Sequence, residues 1–407
     1  MNLFGVKAKM QEAVIWNKID KTLQENGTII LYGAGLIGHL IYDSLKNRCN
    51  LNNCLFCTSY EPEHFDKITG LKVLNRESLK FYTDALVIVC LGITFSNKIY
   101  EEIKNYCLKV GIREENLILR TSDWFLKLAK PYIDAKGELH VYTLSFHVTK
   151  MCNLKCRMCG QLLFGPVKRR SFPSEQIMED TDKIFKVIDH IGVMKLIGGE
   201  VMMYRDLDKL IHRLNEYNSK IGLLELYTNG AVMPKPSLLE AIKSYKGFFQ
   251  VTISDYGKLS CAKEKWLEFC SNAGVTVNVL NFSTLGHSGF KGWIDCRELK
   301  DLNESPDENL EKFIKCGQRI DFVLEDSILG KCTSFHMLNY ALNYDLSREE
   351  SVYLHDNLSD DEIKKKIVEL GTDDVPLGVC KYCIWGSNIR DSLPRFPAAE
   401  QMDKFPR

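Results

Sequence analysis

Five apolar runs punctuate the middle of the chain: YTLSFHVTK (142–150), GVMKLIGG (192–199), LLELYTNG (223–230), FFQVTISD (248–255) and VTVNVLNF (275–282). Most are followed by a helical or polar stretch such as SEQIMEDTDKIFKVIDHI or DLDKLIHRLNEY. Short, nearly continuous apolar runs read as buried strands, and the stretches between them repeat apolar residues at helical spacing. Strand and helix alternating in this way restrict the fold class to α/β with a parallel sheet. The repeated unit suggests a full or partial α/β barrel.

A second series precedes it. After an amphipathic first helix, GTIILYGAGLIGHLIYDSLK (27–46) reads as strand, glycine turn and helix. LNNCLFCTS and DALVIVCLG read as further strands, and ESLKFY and NKIYEEIKNYCLKVG as helices. With 407 residues, the chain exceeds the roughly 250–300 at which a single core stops growing. The stretch 121–140 reads as a helix and polar connector, placing a boundary between about 120 and 140. The expected organisation is a parallel α/β domain over 1–125, a barrel over 140–310, a region of short elements with cysteines over 311–390, and a poorly ordered tail over 391–407.

Fifty-three basic residues balance fifty-three acidic ones, which gives no electrostatic argument for nucleic acid or a membrane surface as partner. The first twenty residues lack the apolar core of a signal peptide, and no apolar run is long enough to span a bilayer. The expected location is cytoplasmic. In that setting the fifteen cysteines read as metal ligands or free thiols rather than disulfides.

Their spacing carries the chemistry. TKMCNLKCRMCGQ places Cys152, Cys156 and Cys159 on a loop directly after the first barrel strand, at the strand edge where barrel chemistry sits. Three thiolates can hold a cubane while leaving its fourth iron without a protein ligand, open to a cosubstrate. A structural zinc site, the competing reading, wants four ligands and commonly pairs Cys-xx-Cys units. Cys-xxx-Cys-x-Met-Cys, with Met158 before the last cysteine, resembles the radical S-adenosylmethionine (SAM) signature. The resemblance implies a partial (β/α)6 barrel, a 4Fe-4S cluster whose open iron is chelated by the amino and carboxylate groups of SAM, and an external one-electron reductant such as flavodoxin or ferredoxin. It also implies SAM contacts, Met158 among them. Gly198, Gly199 and Glu200 are similar to a motif that admits the SAM methionine and offers it a carboxylate, and Thr228, Asn229, Ser254 and Asp255 stand at edges that resemble SAM-contacting strand ends.

Cys316, Cys332, Cys380 and Cys383 supply four further ligands, enough for one closed site. Their spacing is similar to the twitch domain, a shortened relative of the SPASM domain. That resemblance implies an auxiliary 4Fe-4S cluster, two clusters in all; structural zinc and unliganded core cysteines are the alternatives. Upstream, Gly33, Gly35 and Gly38 stand between a strand and a helix as a dinucleotide fingerprint would. The second strand, however, ends at Cys57, Thr58 and Ser59, where an acidic ribose-binding residue is expected. The region looks more like Rossmann-like domains of sugar-modifying proteins, with a nucleotide-linked ligand or a docking role both open. Cys49, Cys54 and Cys57 lack an obvious fourth ligand, and two fall inside a strand.

Cys261 and Cys296 fall near barrel strand ends, and Cys261 is the candidate hydrogen-atom donor. Lys168, Arg169 and Arg170 follow the loop closely enough to bind a phosphate or carboxylate, and His147 reads as a core histidine. The function expected is hydrogen abstraction from a carbohydrate-type small molecule (sugar, aminocyclitol or nucleotide-sugar), leading to oxidation or epimerisation. The alternatives are maturation of a ribosomal peptide and a non-catalytic iron-sulfur or zinc scaffold.

Overall fold

The computed structural model describes residues 3–402 apart from 50, 67–68, 91–96, 120–128, 135, 164–168, 284–290, 298, 343–348 and 388. The chain divides into two compact units, residues 1–129 and 130–407. No helix among the described residues is long and apolar enough to cross a membrane.

In the first unit, strands β1 (Ile29–Tyr32), β2 (Cys54–Thr58), β3 (His64–Phe65), β4 (Lys72–Asn75), β5 (Leu86–Val89) and β6 (Leu117–Ile118) form one sheet in the order β3-β4-β2-β1-β5-β6. β1 pairs in parallel with both β2 and β5, so the order reverses between β1 and β5. Gly33 has φ +125° and its α-carbon lies against the Cys90 carbonyl, where a Cβ would come within 2.7 Å. A Cβ on Gly38 would stand 1.9 Å from the Gly33 carbonyl oxygen, so the helix Leu36–Arg48 can pack on the turn only without one. Around Gly35 there is open space. ESLKFY, expected as a helix, is a 3-10 turn over Arg76–Phe81 in which Asn75 accepts from the Glu77 amide.

The second unit is built on β8 (Leu139–Thr149), β9 (His190–Gly198), β10 (Ile221–Thr228), β11 (Phe249–Asp255) and β12 (Thr276–Asn281), with β7 (Tyr132–Ile133) antiparallel to β8. Each of β8 to β12 is parallel to the next. Side chains on one face, among them Leu144, Phe146, Val148, Met194 and Leu196, join Ile184, Phe185, Leu210 and Ile242 of the crossover helices in one core. That is the partial barrel expected. The opposite face is polar although buried: Thr143, Ser145, His147, Glu225 and Thr252 all lie there with little exposure.

Two boundaries differ from the sequence expectation. β13 (Asp321–Glu325) adds to the sheet in parallel beside β8, and β14 (Ile328–Lys331) and β15 (Ser351–Tyr353) continue it antiparallel. Phe322, Leu324 and Leu329, with Ile363 and Ile367 of the helix Asp360–Thr372, enter the barrel's own core, so the cysteine-bearing region continues the barrel sheet. The expected tail is ordered through Met402. Phe396 and Trp293 exchange backbone hydrogen bonds of 2.9 and 2.8 Å, and Gln401 bridges to Cys156.

Candidate active site

A parallel strand ends with its last amides and carbonyls free, and the chain that follows must find partners for them. After β8 this chain is the cysteine loop. It is held from below by β9: the Gly199 amide donates to Thr149 O at 2.9 Å and the Glu200 amide to Met151 O at 2.8 Å. A Cβ on Gly198 would meet Thr149 O at 2.4 Å, and one on Gly199 would meet Met151 O at 2.4 Å. The glycine pair thus lets the loop carrying Cys152 lie directly on the end of β9.

Glu200 is buried at 2 % exposure, and its carboxylate accepts from the Asn229 amide at 2.7 Å, Thr228 Oγ1 at 2.8 Å and the Met202 amide at 3.2 Å. Burial pushes its carboxyl above the ordinary carboxylate range, against those three donors. Glu200 therefore ties β9 to β10. Asn229 Nδ2 in turn donates to Asn153 Oδ1 at 2.8 Å on the cysteine loop.

These elements enclose a cavity of about 370 Å³ whose lining includes all three cysteines with Gly198, Gly199, Glu200, Thr228, Asn229 and Ser254. Two of the residues expected to touch SAM stand elsewhere: Met158 is buried at 3 % exposure outside the lining, and Asp255 is engaged by Lys263 Nζ at 2.9 Å and the Gly257 amide at 2.8 Å. Cys261, the expected hydrogen donor, is exposed, lies against Ala231 O at 3.4 Å and does not line the cavity. Arg170 pairs with Asp326, and Lys168 lies outside the described residues. His147 is a core histidine whose Nδ1 lies 2.7 Å from Glu325 Oε2, a carboxylate also paired with Lys150 at 2.7 Å.

Sequence reasoning passed over one charged wall of the cavity. Lys195 and Asp321 line it, 3.5 Å apart, with Ser145, Tyr227 and Gln318. A lysine inside the apolar run GVMKLIGG was the available signal, since a charge in a buried strand needs a partner; Asp321 arrives through the unforeseen pairing of β13 with β8.

Cys316, Cys332, Cys380 and Cys383 line one apolar cavity of about 30 Å³. They come from three segments: Cys316 caps the helix Pro306–Lys315, Cys332 follows β14 with φ +81°, and Cys380 and Cys383 lie within and at the end of one 3-10 turn. Lys312, nearly buried, donates to Cys380 O at 2.7 Å and Cys383 O at 3.3 Å and pairs with Glu304. Cys152, Cys159, Cys332, Cys380 and Cys383 all pack against one apolar cluster around Leu162, Cys296, Phe335 and Leu338.

Burial raises the thiols, Cys152, Cys380 and Cys383 to about 12 and Cys156 to about 11, so a bound cation is needed to hold them as thiolates. A zinc ion with bonds of about 2.3 Å draws its sulfurs to within about 3.8 Å of one another. Among the described residues, the group of ligand atoms found mutually within 4.8 Å is Asp134, Glu138 and His140. Neither cysteine set closes this tightly among the described residues. Cys54 and Cys57 are buried in β2.

An α/β partial barrel with three thiols on the loop after its first strand defines a class of cluster-binding protein. Residues 146–254 match the Radical SAM superfamily; the chain carries a radical SAM domain, which implies a 4Fe-4S cluster and SAM. GTP 3′,8-cyclase of Staphylococcus carnosus (strain TM300) is 35 % identical over 97 residues, 23 % of this chain and 28 % of the relative. The protein of that name from Helicobacter pylori (strain ATCC 700392 / 26695) is 30 % identical over 111 residues, 26 % and 32 % of the two chains. The chain thus spans less than a third of the length of these curated relatives. Among solved structures, native anSMEcpe with bound AdoMet and Kp18Cys peptide aligns with a TM-score of 0.40 at 17 % identity, over 60 % of this chain and 87 % of that one. BtrN in complex with AdoMet and 2-DOIA aligns with a TM-score of 0.33 at 16 % identity, over 60 % and 92 %.

Proposed function

We propose that the protein is a radical SAM enzyme that removes a hydrogen atom from a small polyhydroxylated substrate of carbohydrate type, a sugar, aminocyclitol or nucleotide-sugar, and completes an oxidation. Cys152, Cys156 and Cys159 would hold the cluster at the cavity mouth, and Gly199, Glu200, Thr228, Asn229 and Ser254 would line the SAM side of it. Bound there, the cluster supplies the electron that splits SAM into methionine and a 5′-deoxyadenosyl radical able to take hydrogen from carbon.

The observation that carries the substrate class is the charged wall. Lys195 and Asp321, with Ser145 and Tyr227, offer donors and acceptors of both signs at 3.5 Å spacing in a cavity of about 370 Å³. Neighbouring hydroxyl or amino groups on a small ring satisfy such a wall, whereas an apolar substrate would leave it unpaired. Oxidation is favoured over epimerisation because four thiols stand ready for an auxiliary cluster against the same apolar cluster as Cys152 and Cys159, while Cys261 lies outside the cavity. The second electron would leave through that auxiliary site, and flavodoxin or ferredoxin would supply the first. In the first unit, the open space at Gly35 between β1 and its helix is where a nucleotide-linked ligand would sit.

The test is to incubate anaerobically reconstituted protein with SAM, dithionite and a panel of deuterated sugars, aminocyclitols, nucleotide-sugars and short peptides. Deuterium in 5′-deoxyadenosine from a ring substrate is the expected result. Transfer from peptides alone overturns the substrate class, and no 5′-deoxyadenosine under several reductants overturns the enzyme reading.

A further inference from the structure

A chain segment far from the barrel in sequence reaches the catalytic loop. Residues 399–402 lie antiparallel along 155–157: the Arg157 amide donates to Glu400 O at 2.7 Å, and the Met402 amide to Lys155 O at 3.0 Å. Ala399 is buried at 1 % exposure beside Leu154 and Cys156. Between them, the Gln401 side chain makes three bonds. Its Oε1 accepts from the Lys155 amide at 2.7 Å, and its Nε2 donates to Ala399 O at 2.7 Å and to Cys156 Sγ at 3.3 Å.

The orientation of that amide is set by its partners. A backbone N–H can only donate and a backbone carbonyl can only accept, so the atom facing Lys155 N is oxygen and the atom facing Ala399 O is nitrogen. The nitrogen's second hydrogen is left for the sulfur.

We propose that Gln401 is a positioning residue for the radical SAM cluster: its amide N–H, aimed by the 399–402 strap, donates to the thiolate of Cys156 and raises the reduction potential of the cluster. The inference rests on the cluster reading of Cys152, Cys156 and Cys159. Reduction adds negative charge to the iron and sulfur atoms, and a donor to a ligating sulfur stabilises the more negative state, which moves the potential upward. Beside the Gln401 bond, the sulfur of Cys156 has a bond from its own backbone amide, so Gln401 is the side-chain donor whose loss the sulfur feels.

Two substitutions separate tuning from clamping. Gln401→Leu removes both ends of the amide, whereas Gln401→Glu keeps an acceptor for the Lys155 amide and puts an anionic oxygen where the donor was. Each is reconstituted beside the unaltered protein, iron and sulfide are counted, and the midpoint potential is read by electron paramagnetic resonance on the signal that shifts when SAM is added, since only a cluster with an open iron responds. The expected result is unchanged iron content, a negative shift in midpoint potential in both variants, and the larger shift in Gln401→Glu. Equal potentials in all three proteins overturn the proposal, and so does loss of cluster iron in both variants, which makes the strap a clamp and nothing more. Failure of the unaltered protein to take up a SAM-responsive cluster sinks the underlying reading instead.

Discussion

The two cysteine sets reach similar chemistry by opposite routes. Cys152, Cys156 and Cys159 lie within eight residues on one loop, fastened below by Gly198 and Gly199 and across by the strap at Gln401. Cys316, Cys332 and the pair Cys380 and Cys383 come from three separate segments that only packing brings to one cavity, with Lys312 holding two of their carbonyls. The first set is local in sequence and lines a large cavity; the second is non-local and lines a small apolar one. A loop that supplies three ligands leaves room for a cosubstrate, and a fourth ligand from elsewhere closes a site. The difference teaches that openness follows from how many chain segments must meet.

The comparison makes Cys156→Ala the most damaging change, because an open site has no ligand to spare: release of 5′-deoxyadenosine, measured by chromatography, should fall to background. Next, Cys380→Ala should lower bound iron from about eight to about four per chain while leaving SAM cleavage in place without substrate oxidation. Survival of full iron content in that variant would break the comparison by removing the second cluster.

Smaller effects sharpen it. Lys312→Met strips two carbonyls and Glu304 of their donor, and should cost about 2–3 kcal/mol in urea unfolding while sparing SAM binding. Acid should act on the non-local site too. His336, on the helix Thr333–Leu342 that begins at Cys332, is held by burial at about 4, against an ordinary value of about 6.5. The folded protein therefore favours the neutral ring, so stability is full above about pH 6.5 and is lost as pH falls toward 4, by about 3 kcal/mol for this group. Glu325 adds to the loss at lower pH: burial raises its carboxyl, but the bond from His147 and the nearby His336 and Lys150 outweigh burial and hold it below the usual range. Urea midpoints of the metal-free protein should fall over this window, and His336→Gln should flatten the fall.

Much of the fold was legible because it is written in local pattern. The five barrel strands fall where the apolar runs predict them, the cysteine loop was found from its spacing, and the glycine pair from its resemblance to a known motif one strand further on. The glycines, though, are there for the Met151 and Thr149 carbonyls, a reason visible only once the loop is seen lying on β9. ESLKFY has helical composition but too few residues to extend beyond a 3-10 turn. Asp255 and Cys261 were expected at or near a strand end; a side chain's direction depends on what competes for it, and here Lys263 engages Asp255 and Ala231 O lies against Cys261.

By itself, the amino-acid sequence determined the alternation of strand and helix, the three-thiol loop and the family to which residues 146–254 match, since each depends on residues close together in the chain. Only the tertiary structure decided that β13 joins the sheet beside β8, that Lys195 meets Asp321, that four scattered cysteines share a cavity, and that Gln401 points at Cys156. Those contacts join residues up to 245 positions apart. Their formation is driven by burial of a common core, which is indifferent to sequence separation and leaves no periodic trace in the chain.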